Sequence, residues 1–158
     1  MDEITKQEIK KVKKYLNSAW YWKKKQKVLE DNIEVLRSRA EKMTATYSDA
    51  PVFGGYEDHR QSVIEKMVEK ERKYEEAVKN CDDKIEEIQN FVDGLDGKDS
   101  YQERIVLEYH YIYFMGWLDI ACKLHYHLRT VFKIHNRALH NLLEVHKKII
   151  NNGGKPLF

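Results

Sequence analysis

The most informative stretch of this chain is Trp117-Leu-Asp-Ile-Ala-Cys-Lys-Leu-His-Tyr-His-Leu-Arg-Thr-Val-Phe-Lys-Ile134. Its apolar residues Ile120, Ala121 and Leu124 share one helical face, which predicts a short helix over 117–124. His125-Tyr-His-Leu128 then forms a tight turn, and a longer basic helix follows from about Arg129 to Ile150. Two helices joined in this way predict helix-turn-helix geometry.

The segment before this stretch predicts one more short helix. Ser100-Tyr-Gln-Glu103 has the spacing of a capping box, in which two side chains satisfy free backbone amides at a helix start. We therefore expect a helix from Tyr101 to about Tyr113, and a break at Gly116 before the next one.

Two long helices precede this head. Thr5-Lys-Gln-Glu8 is another capping box and predicts that the first helix begins near Thr5. Apolar and aromatic residues then recur in steps of three and four up to position 43, with Gln26 as the polar exception, and a second such seam runs from Ile64 to Leu95. Two seams of similar length favour an antiparallel pair of helices.

Between the seams, Pro51 and Gly54-Gly55 predict a turn at about 44–58. The predicted fold is thus all-α, with an antiparallel coiled-coil helical hairpin over 1–97 and a helix-turn-helix domain over 98–158. Gly94 and Gly97 should end the second helix.

Composition agrees with this fold class and limits the function. The 158 residues are 34% charged and include only two Pro and seven Gly, which favours long helices. No apolar stretch is long enough to cross a bilayer and the first residues resemble no signal peptide, so we expect a cytoplasmic protein without membrane contact. The two Cys predict buried reduced thiols rather than a disulfide.

Charge is distributed unevenly along the chain. Residues 1–27 carry a net +6, residues 28–100 a net −8, and residues 101–158 a net +4 together with six of the seven His. This pattern predicts an anion-binding C-terminal head on an acidic carrier. On the last helix, Arg129, Lys133 and Arg137 recur every four residues, as expected of a helix that lies in the major groove of DNA.

Three segments of the head resemble region four of sigma factors. They are Tyr101-Gln-Glu-Arg-Ile-Val-Leu-Glu-Tyr-His-Tyr111, Trp117-Leu-Asp-Ile-Ala121 and Arg129-Thr-Val-Phe-Lys-Ile-His-Asn-Arg-Ala-Leu139. Within that superfamily the chain is most similar to the RinA and ArpU type regulators of late transcription carried by phages of Gram-positive bacteria, and the loop Ala45-Thr-Tyr-Ser-Asp-Ala-Pro51 shares the likeness. The resemblance implies a DNA-binding regulator with the helix from Arg129 in the major groove near a promoter. It implies groove-facing roles for Arg129, Thr130 and Lys133 and a phosphate contact for Arg137.

The chain also departs from that family. Gly116 and His127 stand where the family has a small hydroxyl residue, Leu128 stands where it has a basic one, and Phe114 replaces a usual Gly. His127 is a weaker N-cap than Ser or Thr, although an imidazole at this turn can also bind phosphate. Added apolar bulk on this face predicts a second kind of surface, a protein-contact patch made of Phe114, Met115, Leu118, Leu128 and Phe132.

Other kinds of site have weaker support in the sequence. His125, His127 and His135 could in principle hold zinc, but no Cys pair or carboxylate stands at a ligand spacing, so we expect no metal and no cofactor. No phosphate-binding Gly loop or activated nucleophile occurs, so we do not expect an enzyme.

Three functions therefore remain open. The first is a phage-type or mobile-element transcription regulator that binds double-stranded DNA as a homodimer, with RNA polymerase as a further partner. The second is a phage-encoded inhibitor that binds a host protein, either the polymerase or a CRISPR nuclease, through a helix-turn-helix scaffold. The third is a purely structural coiled-coil oligomer.

Overall fold

The protein is described by a computed structural model that covers residues 3–47 and 56–158. These residues form five α-helices and one short π-helix and contain no β-strand, so the predicted all-α class is confirmed. The elements are α1 (Glu3–Tyr47), α2 (Tyr56–Asp93), α3 (Ser100–Leu107), π1 (Glu108–Ile112), α4 (Trp117–Leu124) and α5 (Leu128–Asn151).

The two long helices extend further than predicted. Helix α1 already includes Glu3, so Thr5 lies inside the helix and the capping box predicted there is wrong. At the other end α1 runs to Tyr47 and α2 resumes at Tyr56, both within the predicted turn at 44–58. The remaining residues of that turn, 48–55 with Pro51, lie outside the described part of the chain.

The end of α2 is as predicted. The helix stops at Asp93, and Gly94 donates its backbone N–H to the Asn90 carbonyl at 3.0 Å. Gly97 has a φ of +120°, a conformation that favours glycine, and the chain turns there into α3.

The capping box predicted at Ser100 is wrong. Asp99 is the N-cap of α3, Ser100 lies within the helix, and no side chain caps its first amides. Glu103 is not available for capping because its carboxylate is buried against α5, where Arg137 and Asn141 bind it.

The chain divides into two compact units, and their limits differ from the domain boundary predicted at residue 97. Unit 1 contains residues 1–22 and 84–158, and unit 2 contains residues 23–83. Helices α1 and α2 contribute to both units. The boundary at 97 stays a prediction.

Within unit 2, α1 and α2 pair in antiparallel order. Gln26 donates to Asp82 at 2.6 Å, and Arg37 donates to Glu71 at 2.5 Å and to Glu75 at 2.9 Å, so partner numbers fall as numbers on α1 rise. Gln26, the polar residue of the predicted seam, is buried and satisfied by this contact. The predicted hairpin as a whole, with its turn, stays a prediction.

The core of unit 1 brings residues from both ends of the chain together. Val12, Leu16 and Ala19 of α1 are buried against α2 and against Leu139 and Leu142 of α5. Leu157 and Phe158 complete this core. Leu157 donates its backbone N–H to His146 at 3.2 Å, and the ring of Phe158 stacks on the same imidazole. The sequence seam did not include Leu16, although it is fully buried.

A second, smaller core lies under the predicted helix-turn-helix. Val106, Ile120, Ala121, Val131 and Ile134 are buried together. This cluster fixes α4 and the first half of α5 against α3. Of the two Cys, Cys81 is buried as predicted, whereas Cys122 beside this cluster is exposed, so the expectation of a second buried thiol is wrong.

None of the helices in 3–47 and 56–158 combines the length and the apolar character that crossing a membrane requires.

Candidate nucleic-acid interface

The structure contains a helix, a tight turn and a longer helix at the predicted positions. Helix α4 spans 117–124 as predicted, and α5 begins at Leu128, one residue before the expected start. Between them His125 adopts a left-handed conformation with a φ of 55°, and the Tyr126 N–H donates to the Ala121 carbonyl at 2.9 Å. This backbone turn orients the first turns of α5.

Three predicted groove-facing residues lie on the outer side of α5. Arg129 and Lys133 are exposed, Thr130 is partly exposed, and the two cations stand one helical turn apart. Neither cation forms an ion pair or hydrogen bond with any residue that the structure describes. Both are therefore available to an external anion.

The sequence interpretation missed one residue of this face. Asn136 is exposed and lies three residues after Lys133, on the same side of the helix. Its amide carries both a donor and an acceptor, which is the pattern that reads adenine in the major groove. The signal was present in the sequence as a polar residue at helical spacing.

The N-terminus of α5 is also suited to anions. No acidic residue lies in its first turn, and the N-cap residue, His127, is exposed and makes no side-chain capping bond. The carbonyl of His127 accepts the N–H groups of Thr130 and Val131, which leaves the amides of Leu128 and Arg129 without that acceptor. Free amides and the helix dipole attract a phosphate at such a position.

Arg137 is placed differently from Arg129 and Lys133. Its Nε donates to Glu103 at 2.6 Å and its Nη1 lies 3.1 Å from Asp99, while Asn141 donates to both oxygens of Glu103 at 3.0 and 2.9 Å. Two carboxylates thus compete with any phosphate for this guanidinium. Its immediate structural role is to join α5 to α3.

The predicted protein-contact patch is mostly exposed. Leu118 is 67% exposed, and Phe114, Leu128 and Phe132 are each about 40% exposed, while Met115 is half-buried against the second core. The ring of Phe132 contacts Trp117, with centroids 5.4 Å apart. An apolar rim therefore lies beside the cations of α5.

Aromatic rings of π1 and α4 pack against the buried side of α5. His110 stacks on Trp117 at 3.7 Å, and its Nδ1 lies 3.1 Å from the Met115 carbonyl, which requires that nitrogen to carry the proton. Tyr111 and His135 are hydrogen-bonded at 3.0 Å, and burial raises the pKa of Tyr111 to about 12. Burial, followed by the charge of Lys13, lowers the pKa of His135 to about 4.

The three His considered for zinc do not form a common site. His125 and His127 are exposed in the turn, whereas His135 is buried against Tyr111. Among the residues that the structure describes, no three His, Cys, Asp or Glu side chains form a group that could hold a metal ion.

No family model, curated protein or solved structure matches the chain.

Proposed function

We propose that this protein is a DNA-binding transcription regulator that inserts the first turns of α5 into the major groove. The observation that carries the proposal is the pair of exposed cations, Arg129 and Lys133, which have no carboxylate partner in the described residues and stand one turn apart. They follow a free helix N-terminus at a tight turn, which is how helix-turn-helix proteins approach DNA.

Each residue of this face has a role that fits its chemistry. Arg129 offers a planar fork of donors for a guanine edge, Asn136 offers an amide for adenine, and Thr130 offers a methyl and a hydroxyl group. Lys133 supplies a phosphate or base contact, and His127 with the adjacent amides positions the DNA backbone. Because Arg137 is held by Glu103 and Asp99, we assign it to the support of α5.

One such head covers only a few base pairs. A homodimer would bind two half-sites of a palindrome and would increase both affinity and specificity. We therefore include a second copy of the chain, and RNA polymerase near the promoter, among the proposed partners.

Fluorescence anisotropy with labelled random-sequence duplex DNA tests the proposal. Wild type should bind at low salt, with log K falling by about 0.9 per decade of salt for each phosphate that is neutralised. Arg129→Ala and Lys133→Ala should each weaken binding and reduce the slope by about one contact. Lys42→Ala, an exposed cation of unit 2, is the matched control and should change neither quantity. Absence of duplex binding at low salt would refute the proposal.

A second function is favoured by the apolar rim. Leu118 and Phe132 expose large apolar surfaces beside the cations, which suits a phage-encoded inhibitor that binds a host polymerase or a CRISPR nuclease. The two functions respond oppositely to mutation. For an inhibitor, Leu118→Asp or Leu128→Arg abolishes activity while Arg129→Ala has little effect; for a regulator, Arg129→Ala is the damaging change.

A further inference from the structure

Unit 1 contains a small pocket away from the outer face of α5. It has a volume of about 230 Å³ and is lined by Asn17 and Trp20 of α1, His110 and Tyr111 of π1, and Phe114. This is below the roughly 300–1,000 Å³ of sites for drug-sized molecules, so it accommodates one ring system rather than a long ligand. Four of the five lining side chains are aromatic.

Phe114 occupies a conformation that an L-residue adopts only at a cost. Its φ is 57°, in the left-handed region, and its side chain remains 39% exposed. A left-handed backbone costs a side-chain-bearing residue roughly 1–2 kcal/mol, which glycine would avoid. More than a third of the residue stays in solvent, so burial offsets this cost only in part, and the ring lies at the pocket. Strain of this kind is concentrated at functional sites.

The wall formed by α1 adds polar and positively charged groups. Asn17 is exposed and supplies an amide, and Lys13 and Lys10 lie one and two turns before it on the same face of the helix. Neither Lys forms an ion pair within the residues that the structure describes. The charge of Lys13 reaches this part of the unit, because it contributes, after burial, to the lowered pKa of His135. No carboxylate is among the described lining residues.

We propose that this pocket binds a nucleotide. The base stacks against the rings of Trp20 and Phe114, the Asn17 amide pairs with its polar edge, and Lys13 and Lys10 bind the phosphate. Stacking of a base on an aromatic side chain contributes about 1–3 kcal/mol and tolerates any base, whereas the amide adds a preference among bases. The nucleotide comes from one of two sources: a free mononucleotide, or an unpaired position in a nucleic-acid strand.

This site is separate from duplex recognition by α5. It shares no residue with the pair Arg129 and Lys133, so each can be removed without the other. The proposal therefore does not depend on the outer face of α5.

The test compares the full-length protein with two variants. Phe114→Gly removes the ring and also the strained backbone, so the thermal midpoint should stay equal or rise while nucleotide affinity falls about tenfold or more. Asn17→Asp changes an exposed α1 residue, removes the amide that pairs with the base edge and places a negative charge one turn from Lys13, so it should weaken binding without unfolding the protein. Tyr101→Ala, which removes a 69% exposed ring of α3 outside the pocket, is the control and should leave nucleotide affinity unchanged.

The ligands are AMP, GMP, CMP and UMP, measured by isothermal titration calorimetry, and a labelled mixed-sequence single strand of about a dozen nucleotides, measured by anisotropy. Saturable binding of a mononucleotide that both variants weaken supports a free-nucleotide site. Binding of the strand alone, with the same dependence on Phe114 and Asn17, supports an unpaired base as the source. The proposal is overturned if neither ligand binds, or if neither variant weakens the binding. Arg129→Ala in the same assays keeps this outcome distinguishable from that of duplex binding, because it should affect only the duplex.

Discussion

Glu103 joins α3 to α5 through a buried carboxylate. It is 1% exposed. One carboxylate oxygen accepts a hydrogen bond from Arg137 Nε at 2.6 Å, and both oxygens accept hydrogen bonds from the Asn141 amide. A buried carboxylate is tolerated only when it is paired and hydrogen-bonded, and here all three contacts come from α5. The contacts therefore hold α5 on α3 and direct its outer face to solvent.

Glu103→Gln should destabilise the protein by about 2 kcal/mol. The substitution keeps the size of the side chain but removes the charge from hydrogen bonds that each contribute about 1.5–3 kcal/mol when one partner is charged. Arg137 is 44% exposed and keeps its contact with Asp99, so part of the loss is recovered by solvent. Urea unfolding measures the change.

Glu144→Gln on the same helix is the matched control. Glu144 pairs with Lys147 at 3.1 Å, but its side chain is 65% exposed, so its removal should change the free energy of unfolding by less than about 0.5 kcal/mol. Equal effects of the two substitutions would show that Glu103 does not hold α5.

Individual site residues differed in how well the sequence predicted them. The positions of Arg129 and Lys133 on the exposed side of α5 could be predicted, because their spacing follows the helix period and they lie at the start of a helix. The ion pairs of Arg137 were not found, because its partners Asp99 and Glu103 lie more than 30 positions earlier and contact it only through the packing of α3 on α5. Spacing along one helix contains no information about such a contact.

At the scale of the element, π1 is the main departure from the sequence prediction. The predicted single helix from Tyr101 to Tyr113 is α3 followed by a π-helix, in which the Tyr113 N–H donates to the Glu108 carbonyl at 2.9 Å. A π-turn inserts an extra residue and rotates the next side chains about the helix axis. His110 and Tyr111 lie in this segment and contact Trp117 and His135. Apolar periodicity predicts α-helices and has no separate signal for such an insertion.

The buried contact between Tyr111 of π1 and His135 of α5 predicts how the free energy of unfolding depends on pH. Burial lowers the pKa of His135 to about 4, below the value near 6.5 that the group has when unfolded. The unfolded chain therefore binds more protons between these values, and stability is complete above about pH 6.5 and falls as the pH decreases toward 4. His110 and His146, whose pKa values are also lowered mainly by burial, act in the same direction. The full loss from His135 alone, reached below about pH 4, is of the order of 3 kcal/mol, and about 2 kcal/mol of it falls between pH 7 and pH 5.

Urea unfolding at pH 7 and at pH 5 measures this dependence. His135→Gln should reduce the difference between the two values, at some cost in stability at pH 7 because the Tyr111 hydroxyl loses its present partner. His125→Gln changes an exposed imidazole and should leave the difference unaltered. An imidazole of His135 that titrates near pH 6.5 by NMR would contradict the prediction.

At the scale of the whole molecule, unit 1 is not formed by a continuous piece of chain. Val12 and Leu16 are 0% exposed and pack with Leu139 and Leu142 in unit 1. Full burial of a Val or Leu side chain contributes about 1.5–3 kcal/mol, which is large against the net 5–15 kcal/mol by which a typical domain is stable, so the loss of either contact should destabilise unit 1 strongly. The sequence located the helices well, since their periodicity is local. It did not reveal this core, because the pairing of residues 12–19 with residues 139–143 is a property of the folded chain.

The composition of unit 1 predicts which fragments fold. Residues 98–158 alone expose the apolar faces that α1 and α2 cover, so this fragment should lack a cooperative thermal transition. Residues 1–22 joined to 84–158 by a short Gly/Ser linker retain every residue of unit 1 and should fold. Tyr15 of α1 donates to Glu87 of α2 at 2.9 Å, and the ends to be joined lie shortly after Tyr15 on α1 and shortly before Glu87 on α2. Circular dichroism melting and the dispersion of NMR amide signals separate the two cases.

In the linked chain Val12→Ala should lower the midpoint of thermal unfolding, since it removes two buried methyl groups, whereas Lys14→Ala at an exposed position should not. Cooperative folding of 98–158 by itself would show instead that this segment is an independent domain with its boundary near residue 97. The residues of α1 would then pack on its surface without being required for its folding.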